Sequence, residues 1–180
     1  EGIAPAVLGW GTHERTLPPR AYTHNDDGPR NQICIAQPGM NTWVRTWVPS
    51  GESHGMVIRH GEAYTMCKHL TVKNADGTDA YRPTVHYAYC PSNEAIASVH
   101  ELKMRDWEMQ PKQRLLNDEI ISGRDELGVL FLGHDFTGWW TGSLLSIDEA
   151  RKVLPHQSAT TLQVAASIVS AIQWMFVSPS

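Results

Sequence analysis

A chain of 180 residues, 41% hydrophobic and 19% charged, has the length of one ordinary domain and enough apolar material for a core. A formal charge of −4 with nine histidines neutral, and no basic stripe, argues against a nucleic-acid partner. Three cysteines, Cys34, Cys67 and Cys90, are odd in number and far apart, which fits a reducing compartment better than a disulfide framework.

The first thirty residues are rich in Gly, Pro and charge and show little periodicity. From "NQICIAQPGMN" onward the pattern turns β-like. "QICIA", "WVRTWV" and "GMVIRH" are short β-branched or aromatic runs, separated by "PGMN" and "PSGESHG". "HLTVKNADGTDAYRPTVHYAY" reads as two strands about an Asn-Ala-Asp-Gly turn. In its second half Val85, Tyr87 and Tyr89 alternate with Thr84, His86 and Ala88, the period of a half-buried strand.

"SNEAIASVHELKM" predicts a helix capped by Ser92, with Ile96, Val99 and Leu102 on one face. "DELGVLFLGHDFTGWWTGSLLS" predicts a hairpin turning at "HDFTG". The capping box from Ser146 to Glu149 then opens a short helix. The last element, "SATTLQVAASIVSAIQWMF", is apolar round nearly its whole circumference, so it needs neighbours on all sides. Gln163, Ser167, Ser170 and Gln173 interrupt it, and no membrane helix is read here. The expected fold is α+β: a mixed, largely antiparallel sheet with three flanking helices.

Motifs narrow the chemistry mainly by exclusion. "GWGTHE" places Glu14 where a dinucleotide loop has its third glycine, so Gly9 and Gly11 are expected to serve a turn needing glycine dihedrals. No Walker loop and no Gly-x-Ser-x-Gly elbow is present. Cys67 with His69, and His86 with Cys90, are the best metal-ligand pairs. Residues four apart on a strand lie about 13 Å apart, so no metal site is expected. Asp26–Asp27, Asp118–Glu119 and Asp125–Glu126 read as solvated faces or caps, except that Asp125 stands where an apolar strand begins. The seven tryptophans read as core or interface, and Trp43, Trp47, Trp139 and Trp140 could also offer faces to an organic cation.

The strings "EGIAPAVLGWGTHER", "QPGMNTWVRTW", "YRPTVHYAYCPSNEAIASVHE", "DELGVLFLGHDFTGWWTGSLLSIDEAR" and "HQSATTLQVAASIVSAIQWM" resemble the bacterial homospermidine synthases, of the saccharopine-dehydrogenase-like group. The resemblance implies a chain that lacks an N-terminal Rossmann domain. Residues 1–157 would then be part of a substrate-binding and dimerisation domain, and 158–180 a helix returning to the NAD-binding domain. It implies a cytoplasmic, homodimeric enzyme that oxidises putrescine with NAD to an imine. The aminobutyl group passes to a second putrescine with loss of ammonia, and re-reduction gives homospermidine; spermidine can also donate.

By the same resemblance, Glu1 matches a carboxylate facing the diamine. His60, in "VIRHGE", matches an active-site histidine for proton transfer or orientation, and Asp125 an acidic position at the pocket wall. Thr161 and Gln163 would line the nicotinamide end. Two other readings stand beside this one. A saccharopine or carboxylated-polyamine dehydrogenase would gather Arg and Lys in its pocket, and a non-catalytic interaction domain would use the tryptophan-rich strands.

Overall fold

The computed structural model describes residues 2–23 and 32–178, and Glu1 and the Asp26–Asp27 pair lie outside the described residues. The chain divides into two compact units, one of Glu1–Trp47 and Glu52–Arg105, the other of Val48–Gly51 and Asp106–Ser180. The architecture is α+β with antiparallel pairing, as expected.

In the first unit a four-stranded sheet has the order β2-β3-β1-β8, formed by β1 (Pro5–Gly9), β2 (Ala21–Thr23), β3 (Gln32–Pro38) and β8 (Val85–His86). β1 is central, with Ala6 opposite Ile35 and Leu8 opposite Ile33. Ala6, Leu8, Ile33, Ile35 and Val57 form one core cluster. The opposite face of β1 meets α1 (Glu62–His69), whose buried residues are Ala63 and Cys67. A strand covered on both faces reads as a short apolar run without alternation, which is why "PAVLG" carried no periodic signal.

A second sheet has the order β4-β5-β9, from β4 (Trp43–Val48), β5 (Gly51–Val57) and β9 (Ala88–Tyr89). β5 begins earlier than expected and stops at Val57, so "IRH" is a connection to α1 and not strand. The short hairpin of β6 (Val72–Lys73) and β7 (Asp79–Tyr81) turns at Asn74–Gly77, with Gly77 at φ 85°, as its sequence predicts. α2 (Asn93–Met104) is capped by the Ser92 hydroxyl, which accepts from the Ala95 N–H. Its Ile96 and Val99 pack on Met40, Met56 and Ile58, the face its spacing predicts.

The second unit is built on the hairpin of β10 (Arg124–Leu132) and β11 (Gly138–Ser146), followed by α3 (Ile147–Val153) and α4 (Ala159–Val177). The capping box at Ser146 and Glu149 is complete. α1 makes a fourth helix where three are expected; it lacks a side-chain cap and buries only two small residues one turn apart. α4 buries Ala159 and Gln163 only, while Ile168, Val169, Trp174, Met175 and Phe176 are exposed. By length and composition alone α4 is long and apolar enough to cross a membrane. Trp43, Trp47 and Trp139 are exposed too, so the expected core role does not apply to them.

Candidate functional site

His60 sits in the connection between β5 and α1, with no strand pairing to fix it. Its Nδ1 contacts Oε2 of Glu62, in the first turn of α1. An ionised carboxylate can only accept, so Nδ1 is the donor in this contact. The imidazole also stacks on Tyr87, with ring centroids 4.2 Å apart and planes at 17°. The sequence offered little for Glu62 beyond its place two residues after His60 at a helix start.

Tyr87 is part of the wall of an apolar cavity of about 360 Å³, shared with Met40, Met56, Ile58, Tyr89 and, from α2, Ala95 and Val99. Gly2 reaches the same cavity, and its carbonyl accepts from the Met40 N–H at 3.0 Å. The residue next to Glu1 therefore lies at this cavity, while Glu1 itself is outside the described residues.

The acidic position lies in the second unit. Asp125 pairs across the hairpin with Leu145, and Leu127 with Ser143, so the four share one face. Asp125 Oδ2 is buried without a hydrogen-bond partner among the described residues. Glu126, one residue on and on the other face, contrasts sharply. Burial opposes its ionisation, but hydrogen bonds from Arg124 and from the N–H and hydroxyl of Ser50 prevail and hold its pKa below the usual range. A buried oxygen without a donor is costly, and such atoms in folded proteins call for an explanation.

Gln163 approaches the same hairpin face as Asp125. Its Nε2 donates to Ser143 Oγ at 2.8 Å, and its Oε1, also buried, has no partner among the described residues. Thr161 is engaged locally. Its N–H donates to Ser158 Oγ at 3.1 Å, and its hydroxyl accepts from the Ser158 hydroxyl at 2.9 Å. Among the described residues no three His, Cys, Asp or Glu side chains converge on a metal position.

The first unit thus holds a His–carboxylate pair beside an aromatic-walled apolar cavity, and the second a buried carboxylate oxygen on its hairpin, within an α+β fold. A sequence profile for the saccharopine dehydrogenase C-terminal domain matches residues 1–176, and the chain belongs to that family. More particularly, it is similar to homospermidine synthases. It is 42% identical over 181 residues to that of Mesorhizobium japonicum, covering 99% of this chain and 37% of the relative. It is 43% identical over 187 residues to that of Blastochloris viridis, covering 100% of this chain and 38% of the relative. The crystal structure of homospermidine synthase from Legionella pneumophila in complex with NAD superposes with a TM-score of 0.89 at 47% identity, over 97% of this chain and 38% of that one. The chain thus spans 37–38% of the length of these relatives.

Proposed function

We propose that these residues form the substrate-binding and dimerisation part of a homospermidine synthase. It would convert two putrescines, or spermidine and putrescine, to homospermidine with NAD recycled. The observation that carries this reading is the buried, unpartnered Oδ2 of Asp125. An acceptor waiting for a donor suits the ammonium of a polyamine. A saccharopine-type substrate brings carboxylates of its own and would need Arg or Lys at that point, so the cationic reading is preferred.

On this reading Asp125, in the second unit, accepts from an ammonium group, and Glu1 contributes a carboxylate to the diamine. His60, with Nδ1 held by Glu62, takes a proton from the reacting amine at Nε2 and returns it later. The apolar cavity beside Tyr87 keeps water from the imine, which would otherwise hydrolyse to an aldehyde. NAD, when bound, takes up hydride from the carbon beside the amine and gives it back to the new C=N bond. The unpartnered Oε1 of Gln163 fits a carboxamide N–H of the nicotinamide end, and Thr161 stands two residues earlier in the same helix start. The exposed apolar length of α4 fits a helix, within 158–180, that returns to a nucleotide domain, and the exposed tryptophans fit a homodimer interface.

The test uses the protein at its full natural length, incubated with putrescine and a catalytic amount of NAD. Homospermidine and ammonia form in equal amounts, and Glu1→Gln abolishes nearly all turnover. Unchanged turnover in that variant would remove Glu1 from the site, and no homospermidine from the unaltered protein would remove the reading itself. The 180 residues alone retain no NAD by calorimetry on this account.

A further inference from the structure

Tyr87 occupies a special place in the first unit. It is the single residue between β8 and β9. Before it, Val85 and His86 pair with Gly9 and Leu8 of β1. After it, Ala88 and Tyr89 pair with Val57 and Met56 of β5. The backbone at Tyr87 is therefore anchored on both flanks, by strands of two different sheets. His60 has the opposite situation, since residues 58–60 belong to no strand or helix. The His60 carbonyl accepts from the Ala63 N–H at 3.2 Å, which ties the backbone to the start of α1, while the ring is met by side chains. Glu62 contacts one ring nitrogen. The nearly parallel ring of Tyr87, 4.2 Å away, bears on the plane of the imidazole.

We infer that Tyr87 is a positioning residue for His60: its ring plane, fixed by the junction of the two sheets, sets the imidazole plane and so aims Nε2. This rests on the role given to His60 under the proposed function. The same ring forms part of the apolar cavity wall, so the surface along which an aliphatic chain lies and the surface that orients the proton-transfer group are one side chain. The alternation of Val85, Tyr87 and Tyr89 drew attention to this segment only as a half-buried strand. The structure breaks that strand at Tyr87.

The test compares Tyr87→Phe, which keeps the ring, with Tyr87→Leu, which keeps only apolar bulk, in the protein at its full natural length with selectively labelled histidine. In the unaltered protein and the Phe variant, the His60 ring protons show cross-relaxation with the aromatic ring at position 87. The imidazole nitrogens report the Nδ1–H tautomer. In the Leu variant Glu62 still holds Nδ1 and the tautomer is kept, but kcat falls about tenfold to a hundredfold with KM nearly unchanged, as misorientation of a proton-transfer group requires. Tyr87→Met carries the same comparison should the Leu variant not fold. The inference is overturned if the unaltered protein shows no contact between the two rings, if the ringless variants keep kcat, or if the Phe variant falls as far as they do. The spectra need no substrate, so a protein that fails to make homospermidine would count against the proposed function and leave this contact to be judged on its own.

Discussion

Gly9 of β1 lies directly against Cys67 of α1. A methyl group on Gly9 would stand 2.4 Å from Cys67 Cβ and 2.6 Å from the carbonyl oxygen of Ala63. Neither Gly9 nor Gly11 has a positive φ, so the expectation of a turn needing glycine dihedrals does not hold; Gly9 is required for space. Backbone atoms of a helix cannot yield as a flexible side chain can. Gly9→Ala should therefore lower stability by about 1–3 kcal/mol, the usual cost of overpacking. Urea unfolding of the two proteins measures it, and a loss below about 0.5 kcal/mol would contradict the contact.

The same packing sets the reactivity of the cysteines. Cys67 and Cys34 are each 1% exposed, whereas Cys90 is exposed. Burial pushes the Cys67 thiol up, outweighing the attraction of Arg82, so little thiolate is present near neutral pH. A thiol reagent should titrate Cys90 in the native chain, and Cys34 and Cys67 only after denaturant is added. Rapid labelling of Cys67 in the native chain, read by peptide mass, would show that α1 does not stay packed on β1.

How much of this was legible beforehand follows the physics of each element. The hairpin of β10 and β11, the Ser146 capping box and the apolar faces of α2 and α4 advertise themselves by local rules of period and capping. β1 and α1 do not, because each depends on the other: Gly9 makes room for Cys67, and Ala63 with Cys67 is too small a stripe to signal a helix. The candidate functional residues behave likewise. The family-like strings pointed to His60 and Asp125, but Glu62 and Tyr87 emerge only from contacts, Tyr87 across a separation that no spacing rule spans.

The capping box gives a pH dependence with a definite sign. The Ser146 hydroxyl, and then its backbone N–H, donate to Glu149, holding that carboxyl below its ordinary range. A depressed folded-state pKa adds stability that is present above the unfolded value and is lost as pH falls through the folded one. The unaltered chain should therefore lose more stability than Glu149→Gln between about pH 5 and about pH 3, because the amide accepts the same bonds without titrating. Parallel acid-unfolding curves for the two proteins would remove this role from Glu149.

Asp125 allows structure and function to be separated in a single substitution. A carboxylate that served as a strand-end cap or an ion-pair partner would stabilise the fold, and its removal would cost stability. Oδ2 of Asp125 instead has no hydrogen-bond partner among the described residues, whereas its neighbour Glu126 has donors from Arg124 and Ser50. Replacing a group that is desolvated without compensation is close to neutral or gains up to about 1 kcal/mol. Asp125→Asn should thus leave the melting temperature unchanged or raised while KM for putrescine rises at least about tenfold, the share expected of one charged hydrogen bond to the ammonium. Kinetics in the full-length protein and calorimetric melting of the same preparation read the two halves independently. A variant that melts early and binds putrescine normally would make Asp125 a structural residue and would take away the chief support for a cationic substrate.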